Sequence, residues 1–376
     1  ALLAREGVPF AIGTEGVDKI ENVPARLRAL IAQGLSPEQT LAALTVDAAK
    51  LIGVDRRLGT LEPGKLAHVV VFSAPFQDEK AKVKYTFING RKFEIKTDEQ
   101  PRNADARALS RRDPEGRGGR ARPAGAPADS PETKPDEKKA EPARDEKAND
   151  EKPEEKKVEK PSETPPAPFV DVAAELDSDR RPQIKTGGDV LIKNVVILTG
   201  TKGTIPKGSI LIEKGKIKAI GADVTAAEGV AVIDGEGMVA VPGAIDTHSH
   251  IAIQGGVNEG TLSVVPDVRV KDVITGDDVS IYRALAGGTT TARVLHGSAN
   301  TIGGQDAVIK LKYGLPGRDL IIREGMQGVK FALGENVTRS TGRFPNTRMG
   351  VESVIAGAFE EALAYKNAWR VYNEKL

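Results

Sequence analysis

At 376 residues the chain is long enough for more than one structural unit, and a net charge of +1 excludes a strong steering field towards nucleic acid or acidic lipid. The absence of cysteine excludes disulfides and thiolate metal sites, which leaves His, Asp, Glu and chemically modified Lys as ligands. No apolar run reaches the length that spans a bilayer. The chain opens on Ala1 with no signal-peptide pattern, and no compartment is read from it.

In chain order, Ala1 to Glu6 reads as a helix tail, and Val8-Pro-Phe-Ala-Ile-Gly as a short buried strand ending in Gly13-Thr14-Glu15. Helical sequence resumes near Val23. Ser36-Pro-Glu-Gln39 predicts a helix start, with Ser36 as N-cap, Pro37 at the first position and Gln39 closing a capping box. A further short helix carries Leu51 and Ile52 and stops at Gly53. His68 to Phe72 is a continuous apolar strand, and Asn89-Gly90 predicts a tight hairpin turn between Tyr85–Ile88 and Arg91–Ile95.

From Thr97 to about Gly187 aromatic and branched aliphatic residues nearly vanish. Lys, Glu, Asp, Pro, Ala and Arg take over, and such a stretch lacks the apolar surface to offset the entropy of ordering. A disordered linker is expected, and its interleaved charges read as a solvated spacer and not as a nucleic-acid site. Strands are then predicted at Val190–Leu198, Ser209–Glu213, Lys216–Ile220 and Val230–Asp234, with Lys214-Gly215 as a turn.

Met238 to Val241 leads through a Pro-Gly break into Ile245–Ile251, which reads as a strand. Side chains alternate along a strand, so His248 and His250 project to one face, with Asp246 on the same side. Two neutral imidazoles so placed can reach one divalent ion. Taken alone, the pair is also what two ordinary polar residues at a strand end look like. A long loop follows to Val273, then a helix from Asp277 to Ala286 and a strand from Gly287 to His296. Gly328 to Asn336 reads as another strand, and a last helix runs to Leu376.

The segment Val241-Pro-Gly-Ala-Ile-Asp-Thr-His-Ser-His250 resembles the metal-binding motif of the metal-dependent amidohydrolase superfamily, of the imidazolonepropionase and dihydroorotase kind. In that family a small β-sandwich leads through this motif into the first strand of a (β/α)8 barrel. The runs Gly34-Leu-Ser-Pro-Glu-Gln39, Leu44 to Val54 and Gly59-Thr-Leu-Glu-Pro-Gly-Lys65 are similar to the family's carboxy-terminal end. The resemblance implies an α/β chain with partial TIM-like barrel halves and β-sandwich pieces. Residues 1–96 are then the tail of one module, 97–187 the linker, and 188–376 the head of a second, as in an internal segment of a tandem protein. The sandwich halves are expected to pair with one another, because their edges would otherwise be exposed.

For chemistry, the resemblance implies metal-dependent hydrolysis of a C–N bond in a small amide, cyclic amide or peptide-like substrate. His248 and His250 are the implied metal ligands and Asp246 a residue holding a ring N–H from behind. Lys330, carbamylated, is the candidate bridging ligand, with Glu335 as the alternative and an ordinary ammonium as the bland reading. His296, Asn300 and Gln305, near strand ends, are candidate substrate contacts, although His296 also reads as a plain strand-end residue. Glu15 stands where the family has a strand-eight Asp, either as a displaced catalytic carboxylate or as a loop residue without chemistry. Zinc is the expected metal, one or two ions, with manganese and iron left open. The counterparts of two further metal-binding histidines are missing, so the segment is expected to be incomplete and inactive alone. A homo-oligomer is compatible with all of this. The rival readings are a non-catalytic binding or scaffold protein and an interaction protein acting through the linker.

Overall fold

A computed structural model describes residues 2–14, 23–94, 186–339 and 342–376. All of these belong to one unit. Almost the whole of the expected linker lies outside the described residues, as does Glu15.

The larger sheet has eight strands. Three come from the amino-terminal side, β1 (Val69–Phe72), β2 (Val83–Ile88) and β3 (Arg91–Glu94). Five follow the linker, β4 (Val190–Leu198), β5 (Thr204–Glu213), β6 (Lys216–Gly221), β7 (Ala231–Asp234) and β8 (Val239–Pro242). The hydrogen-bonded order is β3-β2-β1-β8-β4-β5-β6, with β7 also paired to β4. The seam between the two sides is the antiparallel pair β1–β8, in which Val69 faces Pro242 and Val71 faces Ala240. Its core is apolar: Val69, Val71, Phe87, Ile192, Ile197, Ile210 and Ile212 are buried together. The expected pairing of the two halves is therefore a feature of this sheet.

Both predicted hairpin turns form. Asn89 and Gly90 have φ of 49° and 70°, and Lys214 and Gly215 have 50° and 74°, the left-handed pair that a two-residue turn requires. The turns also meet: a Cβ on Gly90 would lie 2.5 Å from the Gly188 carbonyl oxygen, and one on Gly215 would lie 2.9 Å from that of Asn89. Only glycine permits that approach between segments on opposite sides of the linker.

On the amino-terminal side, α1 (Leu2–Arg5) and α2 (Val23–Ala32) precede α3 (Pro37–Leu44) and α4 (Val46–Leu51). The capping box at Ser36 is complete: its hydroxyl accepts from the Gln39 N–H at 3.1 Å, and the Gln39 side chain accepts from the Ser36 N–H at 3.0 Å. Residues 8–14 differ from expectation. They form no strand, and the Ile12 N–H instead donates to the Ala43 carbonyl.

The second sheet holds β9 (Ala244–Ser249), β10 (Thr289–Val294) and β12 (Ala307–Lys310), and β11 (Ile302–Gln305) precedes β12 in the chain. Strands β9 and β10 are parallel and joined through α5 (Val279–Ala286), the unit from which α/β barrels repeat. Strand β12 breaks that pattern by running antiparallel to β10. Ile281 and Leu285 of α5 pack against Ala292, Val294 and Ile309. The strand expected over 328–336 is shorter: β13 (Val329–Phe331) pairs antiparallel with β11, and a 3-10 turn follows at Glu335–Thr338. A short helix α6 (Gly317–Leu320) and the long α7 (Met349–Lys375) complete the chain.

His68 joins the two sheets. It precedes β1, its carbonyl accepts from Gly243 N–H at 3.0 Å, and its Nδ1 lies 3.2 Å from Thr291 Oγ1 on β10. Burial, reinforced by the positive charges of Lys310 and Lys312, lowers its pKa to about 3, partly offset by Asn89. Unfolding restores an ordinary imidazole, so the unfolded chain binds more protons. Stability is therefore intact above about pH 6.5 and falls with acid until about pH 3. Between pH 7 and 5 the wild type should lose roughly 2 kcal/mol more than His68→Gln, by linkage between those two pKa values. Urea unfolding of both proteins at the two pH values measures this, and parallel losses would remove His68 as the cause.

Candidate functional site

Strand β9 rises from the sheet junction, with Ile245 and Asp246 buried and His248 part-exposed near its end. His250 lies just past it. The two imidazole rings stand 5.4 Å apart, centre to centre, at 78° to each other. His250 Nδ1 is 2.9 Å from the Leu295 carbonyl, just beyond β10. A carbonyl only accepts, so Nδ1 carries a proton, and in the neutral ring this leaves the lone pair on Nε2. His248 Nε2 lies 3.3 Å from Lys330 Nζ on β13. An ammonium there donates to the ring, so Nε2 is the acceptor in His248 as well.

Asp246 is 7% exposed. Its carboxylate accepts from Thr14 Oγ1 at 2.6 Å, from Thr14 N–H at 3.2 Å and from the His248 backbone N–H at 3.2 Å. Burial pushes this carboxyl above the usual aspartate range, and the hydrogen bonds from Thr14 and His248 pull against that rise. The expected support of a histidine ring N–H thus comes from a different group: Leu295 holds the ring of His250, and Asp246 holds backbone and Thr14.

Two of the three candidate substrate contacts, His296 and Asn300, are buried, and Gln305 is part-exposed. His296 is 3% exposed, its Nε2 accepts from Glu259 N–H at 2.9 Å, and its Nδ1 donates to the Gly297 carbonyl at 3.0 Å. Asn300 is fully buried and donates to the Glu259 and Leu262 carbonyls. Gln305 donates to the Pro266 carbonyl at 2.9 Å. Together they tie residues 259–266 to the ends of β10 and β11. Glu335 is at the surface, 3.6 Å from Arg348.

Sequence reading missed three supporting groups: Thr14, the Leu295 carbonyl and the Arg293–Asp306 pair. Arg293 Nε donates to Asp306 Oδ2 at 2.8 Å, and its Nη2 adds a second bond to the same oxygen. Asp306 Oδ1 accepts from Gly328 N–H at 3.0 Å, and the Asp306 N–H donates to the Gly328 carbonyl at 3.0 Å. This anchors the chain two residues before Lys330. A charged residue in the otherwise uncharged run Thr289–Val294 was the available signal.

Among the described residues no group of three or more His, Asp or Glu is placed to hold a metal ion. The donors gathered here are the imidazole nitrogens of His248 and His250 with Lys330 beside them. A lysine ammonium repels a cation. Converted to a carbamate, the same side chain becomes an oxygen donor, and the set then fits a divalent metal.

Several known proteins are similar to this chain. Residues 1–92 match the model of the Amidohydrolase family. Amidohydrolase tasK of Hapsidospora irregularis is 30% identical over 213 residues, covering 47% of this chain and 22% of that protein. Imidazolonepropionase of Shouchella clausii is 38% identical over 73 residues, 18% of this chain and 16% of that enzyme. A solved amidohydrolase from Thermotoga maritima MSB8 shares 33% identity over 48% of this chain and 49% of that one, at a TM-score of 0.44. The chain thus spans about a fifth of the length of these two curated relatives or less.

The Asp306 side chain is only 2% exposed. Asp306→Ala leaves Arg293 uncompensated and should cost about 3 kcal/mol, as expected for breaking a buried ion pair. Denaturant unfolding measures it, and a loss under about 0.5 kcal/mol would show the pair to be unimportant to stability.

Proposed function

We propose that this chain, similar as it is to members of the amidohydrolase superfamily, serves the hydrolysis of a C–N bond in a small amide, cyclic amide or peptide-like molecule, with His248 and His250 holding a divalent metal. The observation that carries this reading is the convergence of three groups from two elements: the paired imidazoles at the end of β9, and Lys330 Nζ 3.3 Å from His248 Nε2.

Each group has a role that follows from its bonds. The Leu295 carbonyl holds His250 in the tautomer whose Nε2 can bind a cation. Carbamylation of Lys330 joins its Nζ to carbon dioxide, forms one N–C bond and releases protons, replacing a positive charge with a negative one beside His248. That change removes repulsion and adds the missing oxygen ligand. Zinc suits the nitrogen-and-oxygen donor set, as do manganese and iron. When bound, the ion supplies an acidified water and polarises the substrate carbonyl. Loop 259–266, tied down by His296, Asn300 and Gln305, lies beside the strand ends and would shape the approach of substrate.

Elemental analysis of the full chain after equilibration with Zn2+ tests the metal, and a panel of N-acyl amino acids, hydantoins and dipeptides tests the reaction. His248→Ala and His250→Ala should each lower metal affinity by more than about 100-fold, beyond the cost of losing an outer partner. Metal-free wild type, or retained affinity and turnover in both variants, would overturn the proposal.

A further inference from the structure

Among the described residues, strand β9 has a ladder on one edge alone. It pairs with β10, and among the described residues no backbone hydrogen bond joins its other edge to residues 8–14, which lie alongside. Contact there is made by side chain. Asp246 receives both the N–H and the hydroxyl of Thr14, 232 residues away in sequence, together with the N–H of His248. Gly13 sits against the same place: a Cβ added to it would be 3.4 Å from His248 Cβ and 3.5 Å from Asp246 Oδ1. One carboxylate therefore holds the amino-terminal segment and the backbone of a candidate ligand at once.

We propose that Thr14 is a positioning residue for His248, acting through Asp246, so that the metal-binding end of β9 is set by a residue from the opposite side of the linker. The role of Thr14 in metal affinity rests on the reading of His248 and His250 as ligands; its role in placing His248 does not. The two bonds from Thr14 use both carboxylate oxygens, and Oδ1 is shared with the His248 N–H. Removing the hydroxyl frees Asp246 to rotate, and the shared bond to His248 rotates with it. A serine keeps the donor and should keep the geometry.

The experiment uses the full chain as wild type, Thr14→Val and Thr14→Ser. The chain has only four histidines, so the imidazole signals can be assigned in a ring-labelled sample. The first readout is the histidine ring spectrum without metal, and the second is affinity for Co2+ followed by its visible absorbance. Thr14→Val should move the His248 signals, leave His68 and His296 in place, and weaken Co2+ binding roughly tenfold to a hundredfold, the range for an outer partner. Thr14→Ser should match wild type in both. Unmoved His248 signals in Thr14→Val, or an equal disturbance of all four histidines, overturns the positioning role. If wild type takes up no Co2+, the ligand reading fails, and the ring spectra alone decide the positioning. If Thr14→Val does not fold, Thr14→Ala against Thr14→Ser gives the same contrast.

Discussion

The structure depends on β1 occupying an interior position of the larger sheet, beside β8. Val69 to Phe72 is hydrogen-bonded to β2 on one side and β8 on the other, and its Val69 and Val71 side chains enter the common core. A strand in that position satisfies the backbone groups of both neighbours, which would otherwise stand as exposed edges. The segments on either side of the linker are thereby parts of one hydrophobic core, and β9 leaves that core directly from β8.

The path from sheet to site is short for that reason. Val241 and Pro242 end β8, Gly243 donates to the His68 carbonyl, and β9 starts at Ala244. The imidazoles stand at the far end of a strand whose base is fixed by the sheet junction. Their surroundings are arranged by three further groups: Leu295 orients one ring, Asp246 holds the backbone of the other, and Asp306 anchors the approach to Lys330. Electrostatics limits the state shown here. An ammonium at Lys330 repels a cation, so on the proposed reading a change of charge there is the step that would make the three groups a metal site.

Local signals were legible in particular residues. Ser36 and Gln39 announced their capping box, Asn89-Gly90 and Lys214-Gly215 their turns, and the alternation around Ser249 brought the two histidines together. Each is a property of neighbours within a few positions, where backbone geometry leaves little choice. The readings that changed all involve partners distant in sequence. Residues 8–14 looked like a strand and found no ladder. Gly328 to Asn336 looked like one strand and became a short pair with β11 followed by a 3-10 turn. His296 and Asn300 follow β10, but His296 Nε2 and Asn300 Nδ2 are engaged by a loop that starts about 40 residues earlier.

By itself the sequence determined the resemblance to the amidohydrolase superfamily, the His-x-His pair and the turns that bracket the strands, because motif spacing and turn chemistry act over a few residues. Tertiary structure alone decided that Thr14 reaches Asp246, that Leu295 holds His250, and that Asp306 holds the chain before Lys330. Those bonds join groups 22 to 232 residues apart, or strands whose register is set by the whole core. No local pattern records which donor a buried carboxylate will find once the chain has closed around it.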